Sequence, residues 1–341
     1  MIPPFPRDPW GRDLRGRLLP LTFESQVLAG NPLGDPTSRP LLAYTPPGWP
    51  HGGPYTSVWV LQGFTGQVDA WTNRSPFDPT VPERIDQAIA RGALPPIVVV
   101  FPDAWTSYGG SQFVDSPGVG AYRSYLCDEL VPWATQELHL KPSREARGLL
   151  GKSSGGYGAV MMALERADVW GGFAALAPDA AFEYGYLPDF PLAWRGLKRF
   201  GGDVAAFWTD LRAKDRMGHG DHAVVNTVAM AACYSPGPGG EPILPFALDD
   251  GRLLPAVWER WLPFDPVRAL PTRLAEARGL RAVSIECGDR DQFRLDAGAT
   301  MLHRQLEGAG ITHRFELFDG THDALQARYP AAMAHLATRL A

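Results

Sequence analysis

A serine at position 153 lies between two glycines in a pattern that can present a nucleophile. The stretch 148–160 reads GLLGKSSGGYGAV, so Gly151 and Gly155 flank Ser153 at two places on either side. An apolar run ends just before the serine, which predicts a tight turn between a strand and a helix. Glycines leave room for the backbone in such a turn, and the N–H groups of the helix start face the serine oxygen.

The same glycine-rich stretch has two other interpretations. A phosphate-binding loop would need a glycine five places before Gly151, and residue 146 is alanine, so that spacing fails. An ordinary connection between a strand and a helix is the second alternative. The apolar strand before the turn and the helical pattern after it favour the nucleophile interpretation.

A serine is a weak nucleophile and needs a histidine base oriented by a carboxylate. In hydrolases built on a parallel sheet the chain order is serine, acid, histidine. Downstream of Ser153, SIECGDRDQF ends one predicted strand with Asp289 and Asp291, and FELFDGTHDAL ends the next with His322. We predict Ser153, Asp291 and His322 as the catalytic residues. Asp291 is favoured because it lies three residues after Gly288, whereas Asp289 fits a turn-shaping role.

Other acids and histidines are weaker candidates. Asp179 follows the preceding predicted strand and stays open as the acid, since some related sheets carry the acid one strand earlier. His219 and His222 lie in the polar stretch DRMGHGDH, which fits a solvated loop or a weak metal site. His313 begins a strand and His335 lies on the last helix, where structural roles are expected.

An attacked ester also needs two N–H donors for its developing oxyanion. Ser154 follows the nucleophile and supplies one backbone N–H. The loop LQGFTG follows the third strand, where Gly63 lets the backbone turn and Phe64 offers the second N–H. A plain glycine-rich turn is the alternative, but the position of the loop two strand-helix units before Ser153 favours an oxyanion hole.

Strands and helices alternate along the chain, and this order predicts a mainly parallel sheet with helices on both faces. Trp105 follows the fourth strand, at the carboxyl edge where such sheets bind ligands. Predicted helices include Tyr122 to Leu138, in which Pro132 marks a kink or break. Buried strands are predicted in TSVWVL, PIVVV, RGLLG, GGFAALAP, RAVSIECG and HRFELFDG.

Composition excludes several classes of protein. The 341 residues carry a net charge of −5 without a Lys or Arg cluster, which argues against a nucleic-acid partner. No apolar run of about 18 residues predicts a membrane span, and the N-terminus lacks the pattern of a secretory signal. The cysteines at 127, 233 and 287 are far apart and fit buried thiols in a reducing compartment. We expect a cytoplasmic protein without cofactor or metal, and leave the existence of a homo-oligomer open.

Taken together, the motifs resemble those of the putative-esterase (esterase D-like) family of α/β-hydrolases. That family includes S-formylglutathione hydrolases, enterochelin esterases, feruloyl esterases and mycolyltransferases. The resemblance implies an α/β-hydrolase fold with the catalytic and oxyanion residues named above. It covers most of the chain from about residue 25, through LLAYTPPGW, VWVLQGFTG, IVVVFPDAW, GGSQFVDS, YLCDELVPW, GLLGKSSGGYGA, CGDRDQF and DGTHD.

The resemblance also bears on the surroundings of the site. It implies that GGSQFVDS packs near the active site, which brings Tyr108 and Gln112 close to the substrate. One departure is Gln62, where many family members have histidine before the glycine. This change leaves the backbone donor intact and alters the local hydrogen bonding.

A long aromatic-rich segment lies between the predicted sixth and seventh strands. We expect residues 1–341 to form one α/β-hydrolase domain in which residues 180–266 are a cap over the pocket. Phe182 and Tyr184 are candidates for substrate contacts, and Trp105 is a candidate for the pocket wall. The alternative is that most of these aromatic residues belong to the ordinary core.

Three functions follow from the sequence. The first is a serine carboxylesterase that hydrolyses small or medium esters through an acyl-enzyme on Ser153. The second is an acyltransferase or thioesterase, similar to S-formylglutathione hydrolase, on the same residues. The third is a non-catalytic binding protein that keeps the hydrolase fold.

Overall fold

A computed structural model describes residues 13–74, 77–218 and 220–340 of the chain. Within these residues the central sheet has eight strands. They are β1 Arg17–Glu24, β2 Ser38–Thr45, β3 Ser57–Leu61, β4 Val98–Pro102, β5 Arg147–Ser153, β6 Gly172–Pro178, β7 Ala282–Gly288 and β8 Arg314–Phe318.

The strands lie in the order β1-β2-β4-β3-β5-β6-β7-β8. The pairs β1–β2 and β2–β4 are antiparallel, and every later pair is parallel. Strands β3, β4, β6 and β7 are buried along their whole length, as expected for parallel strands with both faces covered. A separate two-stranded ribbon joins Asp115–Ser116 to Gly120–Ala121.

Helices cover the sheet and the edge at which its parallel strands end. The longer α-helices are α1 Val81–Ala90, α2 Ser154–Glu165, α3 Phe190–Lys198, α4 Val204–Arg212, α5 Asp221–Tyr234, α6 Leu295–Gly308 and α7 Tyr329–Ala337. Shorter α-helices are Tyr122–Ser124, Val131–Glu137, Phe182–Gly185, Pro255–Trp261, Pro266–Ala269 and Leu274–Arg278. The 3₁₀ turns are Val68–Thr72, Arg144–Ala146, Leu187–Asp189, Leu262–Phe264, Leu270–Thr272 and Leu325–Arg328.

Glycines in β5 let helices approach both faces of the sheet. A methyl group on Gly148 would lie 2.6 Å from a methyl carbon of Leu340, just beyond α7. A methyl group on Gly151 would lie 2.1 Å from the carbonyl oxygen of Gly155 in α2. Since successive strand residues point to opposite faces, α7 and α2 cover opposite sides of β5. The predicted α/β-hydrolase architecture is thereby confirmed.

Two helices differ in detail from the sequence prediction. The apolar spacing of the sequence predicts a helix from Tyr157 to Arg166, whereas α2 begins three residues earlier, at Ser154, since its first turn of serine and glycine carries no apolar pattern. The predicted helix from Tyr122 to Leu138 contains a π-helical turn, Tyr125–Leu130. Pro132 follows this turn, in the first turn of the α-helix Val131–Glu137. The hydrogen-bond pattern changes from π-helical to α-helical there, at the position where proline has no N–H to donate.

The segment between β6 and β7 folds into helices α3, α4 and α5 and several short turns. Many of its aromatic side chains pack on one another, for example Phe190 edge-on against Trp261 at 5.5 Å between ring centres. This agrees with the interpretation that most of them are core residues. No helix of the described ranges is long and apolar enough to cross a membrane.

Candidate active site

Ser153 occupies a strained turn at the carboxyl end of β5. Its backbone angles are φ 58° and ψ −127°, a region that L-residues rarely adopt. The next glycine of the motif is required by space, since a methyl group on Gly155 would lie 2.3 Å from the carbonyl oxygen of Leu61 in β3. The turn therefore presents Ser153 at the start of α2, where the helix directs unpaired N–H groups outward.

His322 and Asp291 form a buried pair at the ends of β8 and β7. The Nδ1 atom of His322 lies 2.7 Å from Oδ2 of Asp291. An ionised carboxylate can only accept, so Nδ1 donates and Nε2 of the neutral ring is left as a base. The backbone N–H of His322 also donates to Oε1 of Gln292 at 3.0 Å, which fixes the loop that carries the ring.

Asp291 is held in its ionised form. Burial alone would raise its pKa, but the hydrogen bond and charge of His322 and the backbone N–H groups of Phe293 and Leu295 outweigh burial and lower the pKa below its ordinary value. The N–H of Phe293 donates to Oδ1 at 2.8 Å. Asp289 plays the turn-shaping part, since its Oδ1 accepts the backbone N–H of Gly320 at 3.1 Å.

Asp179, at the end of β6, contacts the serines rather than the histidine. The Ser153 hydroxyl donates to its Oδ1 at 3.3 Å, and the Ser154 hydroxyl donates to its Oδ2 at 2.7 Å. Tyr186 and Gln112 donate to the same Oδ2 at 3.0 and 3.4 Å. Burial raises the pKa of Asp179, although these donors and the nearby His322 oppose the shift.

The loop after β3 lies directly beside Ser153. A methyl group on Gly63 would be 3.6 Å from Cβ of Ser153, which brings the Phe64 backbone next to this serine. Within the described ranges no acceptor is recorded for the Phe64 N–H. Gln62, with its amide oriented to suit its neighbours, donates to the Pro102 carbonyl and accepts the N–H of Trp105 at 2.8 Å. This amide ties the loop to the end of β4, at the place where many family members have histidine.

One cavity of about 540 Å³ contains both Ser153 and His322 in its wall. Aromatic rings of Phe64, Phe182 and Phe293 line part of it. Other wall residues are apolar, among them Ala70, Trp71 and Leu295. Polar side chains come from the chain between β3 and α1, from α1, from the turn between β5 and α2 and from the segment between β6 and β7. These polar residues include Gln67, Asn73, Arg84, Lys152, Asp179, Asp189, His222 and Asn226.

The structure brings some predicted substrate contacts to the cavity and leaves others outside its wall. Phe182 lines the cavity. Gln112 lies behind the wall and donates a hydrogen bond to the wall residue Asp179. Tyr108 stacks on Trp208 of α4, with 5.2 Å between ring centres. Tyr184 is 48% exposed to solvent. Among the described residues, the wall of this cavity does not include Trp105, Tyr108 or Tyr184.

Several wall residues had no signal in the sequence. Asp189 accepts a hydrogen bond from Asn226 at 3.3 Å, and the two residues come from different helical parts of the segment 180–266. His222, which the sequence suggested for a solvated loop or a weak metal site, lies instead in α5, edge-on to Phe64 at 6.2 Å, and lines the cavity. His219 lies outside the described residues. In the described chain, no group of three or more His, Cys, Asp or Glu is placed to hold a metal ion.

The fold and this site together define a serine hydrolase of the α/β-hydrolase class. A family model described as Putative esterase matches residues 36–334, and the chain belongs to that family. It is therefore an enzyme that hydrolyses carboxylic esters.

Solved structures share the fold at low sequence identity. A ferulic acid esterase is 17% identical, with a TM-score of 0.62 over 96% of this chain and 100% of that one. An S-formylglutathione hydrolase from Agrobacterium tumefaciens is 17% identical, with a TM-score of 0.60 over 97% and 98% of the two chains. A feruloyl esterase module from Clostridium thermocellum, complexed with sinapinate, is 13% identical, with a TM-score of 0.59 over 98% and 93%. At these identities the likeness concerns the fold alone.

Proposed function

We propose that the protein is a serine carboxylesterase in which Ser153 is the nucleophile, His322 the base and Asp291 the orienting acid. One observation carries the proposal. The His322–Asp291 pair, at 2.7 Å, shares a cavity with a serine held in the strained turn between β5 and α2. Neither a phosphate loop nor an ordinary connection accounts for this combination.

In the first step Ser153 releases its hydrogen bond to Asp179 and gives its proton to Nε2 of His322. Its oxygen attacks the ester carbonyl, and Asp291 stabilises the imidazolium that forms. The imidazolium then protonates the alcohol as the ester bond breaks. The acyl group is left on Ser153.

In the second step water takes the place of the alcohol. His322 removes a proton from the water, the hydroxide attacks the acyl carbonyl, and Ser153 recovers its proton as the acid leaves. In both steps the N–H groups of Phe64 and Ser154 are proposed to bind the oxyanion. The N–H of Ser154 is available for this because the first residues of a helix have no partner within it.

Residues 180–266 are proposed to act as a cap within a single domain formed by residues 1–341. The two ends of this segment lie side by side, since the buried carboxylate of Asp265 accepts hydrogen bonds from the backbone N–H groups of Ala181 and Phe182 at 2.9 Å each. Between these ends the segment supplies Phe182, Asp189 and Asn226 to the cavity wall. A volume of about 540 Å³ suits an ester of small or medium size.

The cytoplasm is the proposed compartment. Cys127, Cys233 and Cys287 are all buried free thiols, as expected for a protein of a reducing environment. Cell fractionation with an antibody against the protein tests this assignment, and recovery outside the cytoplasm would overturn it.

Hydrolysis of p-nitrophenyl esters from acetate to decanoate tests the proposed function. We expect turnover in the natural protein and none above background in Ser153→Ala, with a chain-length optimum set by the cavity. Transfer of the acyl group to an added alcohol at a higher rate than to water would indicate an acyltransferase instead. A folded protein that hydrolyses none of these esters would contradict the proposal.

A further inference from the structure

The cavity is acidic on one side of the nucleophile. We call Asp179 and Asp189 its acidic end, since both lie in the wall formed by the chain that follows β6. The cationic wall residues, Arg84 and Lys152, come instead from α1 and from β5. Arg84 also has an acid beside it, with 3.6 Å to Asp78. Of the two carboxyl groups, Asp179 lies beside the site of attack, with its Oδ1 3.3 Å from Oγ of Ser153, and Asp189 lies elsewhere in the same wall.

The two oxygens of Asp179 have different surroundings. Oδ2 accepts from Ser154, Tyr186 and Gln112, which hold the carboxyl group in place. Within the described chain Oδ1 accepts only the hydroxyl of Ser153. When Ser153 gives its proton to His322 this donor is lost, and Oδ1 is left without a partner beside the reacting group.

A lone negative charge at this position opposes the proposed reaction. The tetrahedral intermediate carries a second negative charge a few ångströms away, and like charges repel more strongly in a partly buried site than in bulk water. A cation on the substrate next to Oδ1 removes this penalty and replaces the lost donor with a charge-assisted hydrogen bond. It also keeps Asp179 ionised despite its burial.

The distance between Asp179 and Ser153 places this cation close to the carbonyl carbon under attack. Oδ1 of Asp179 lies 3.3 Å from Oγ of Ser153. The carbonyl carbon under attack approaches Oγ to about 3 Å, so a group on the neighbouring α-carbon comes within hydrogen-bonding reach of Oδ1. A longer amine extends along the wall past Tyr186 toward Asp189, whose present partner Asn226 donates to Oδ2 at 3.3 Å.

We infer that the acidic end recognises a protonated amine on the acyl part of the ester, with Asp179 selecting an amine on the α-carbon. The substrate class is thus an ester of an α-amino acid or of a similar short amino acid. This inference rests on the esterase function proposed above.

A pair of isosteric substrates tests the inference. L-Alanine p-nitrophenyl ester and p-nitrophenyl isobutyrate differ only in an ammonium group against a methyl group. We would measure kcat/KM for both near pH 6, below the ordinary α-amino pKa of about 7.7, and divide each by its uncatalysed rate. We expect the corrected ratio to favour the alanine ester by about 10- to 100-fold, the range of one charge-assisted hydrogen bond.

Asp179→Asn keeps the shape of the side chain and removes its charge, so we expect this ratio to fall toward one. Glu183→Gln is the matched control. Glu183 lies near the start of the same segment, forms an ion pair with Arg268 and is not part of the wall of this cavity. In that control the ratio should stay as in the natural protein. Asp189→Asn should reduce the preference only for an acyl group that carries its amine further from the carbonyl, such as a 4-aminobutyrate ester.

The outcomes separate the inference from the proposed function. Turnover of the isobutyrate without preference for the alanine ester overturns the inference and leaves the esterase function standing. An unchanged ratio in Asp179→Asn also overturns it. If Asp179→Asn does not fold, the ratio in the natural protein still decides. Loss of turnover on both substrates in the natural protein contradicts the esterase function itself.

Discussion

Two buried aspartates follow neighbouring strands, β6 and β7, on one side of the strand that ends in Ser153, and their environments differ. Asp291 is 6% exposed and faces an imidazole that can carry a positive charge. Asp179 is 8% exposed and faces hydroxyl and amide donors. The pKa of the first is lowered and that of the second is raised. Asp179 is the more deeply desolvated of the two and has no cationic partner beside it in the described chain, so depth of burial and the partners together set the charge of each carboxyl group and hence its role.

Ser153 and His322 are the two residues proposed to take part directly in the chemistry. We expect Ser153→Ala and His322→Ala each to lower kcat on a p-nitrophenyl ester by about 10⁴-fold or more, because the nucleophile and the base act as one unit. Thermal unfolding of both variants should match the natural protein and is the control for folding. Substantial turnover in either variant would remove the basis of the comparison.

Asparagine at each of the two aspartates separates their roles. In Asp291→Asn we expect a loss of about 10⁴-fold in kcat, since asparagine can donate to Nδ1 and so favours the wrong tautomer of His322. In Asp179→Asn we expect kcat on a neutral ester to be unchanged or higher, because no bond to the histidine is broken and the negative charge beside the intermediate is removed. A fall in kcat of about 10³-fold or more in Asp179→Asn alone is the effect expected on removing the catalytic acid. That result would assign the role of the acid to Asp179 instead of Asp291.

The stability of the same two variants should depend on pH in opposite ways. The lowered pKa of Asp291 gives stability that is present above its ordinary pKa of about 3.9 and is lost as pH falls through the folded-state value. Asp291→Asn should therefore be destabilised at neutral pH, by about 1 kcal/mol or more, and approach the natural protein in acid.

Asp179 has the opposite sign. Its raised pKa favours the protonated form in the folded state, so its contribution is present below about pH 3.9 and is lost as pH rises through the folded-state pKa. Relative to the natural protein, Asp179→Asn should gain stability as pH rises. Urea unfolding from pH 3 to 8, a range about the ordinary aspartate pKa, measures both trends. Parallel curves for the two variants would show that the environments do not differ.

The smallest expected effect concerns the donors around Asp179. Tyr186→Phe removes one of three donors to Oδ2 and should lower the free energy of unfolding by about 1 to 3 kcal/mol. Tyr184→Phe, in the same segment and 48% exposed, is the control and should change it by less than about 0.5 kcal/mol. Chemical denaturation measures both, and equal effects would show that the network around Asp179 contributes nothing to stability.

The sequence predicted the parts of the site that depend on local pattern. Unbroken apolar strands are followed by glycine or by a polar residue, so Ser153, Asp291 and His322 could be found at strand ends. At Pro132 the sequence predicted only a kink or break, and the structure has the π-helical turn Tyr125–Leu130 just before it. A missing N–H shows where a helix is disturbed but not which hydrogen-bond pattern replaces the regular one.

The cavity wall could not be predicted in the same way. Asp189 and Asn226 meet through the packing of helices that are far apart in the chain, and neither has a local motif. The place of Tyr108 depends on its stacking on Trp208, again a non-local contact. Asp179 was a candidate for the acid because strand position alone does not tell which carboxyl group reaches the histidine. That choice follows from side-chain geometry.

Phosphonylation of the active serine tests directly whether Ser153 is the nucleophile and Asp291 its acid. The protein would be treated with a fluorophosphonate, and the modified residue located by mass spectrometry of its peptides. We expect one adduct, on Ser153, which forms much more slowly in Asp291→Asn and at a similar or higher rate in Asp179→Asn. An adduct on another residue, or slow labelling in Asp179→Asn with normal labelling in Asp291→Asn, would contradict the account.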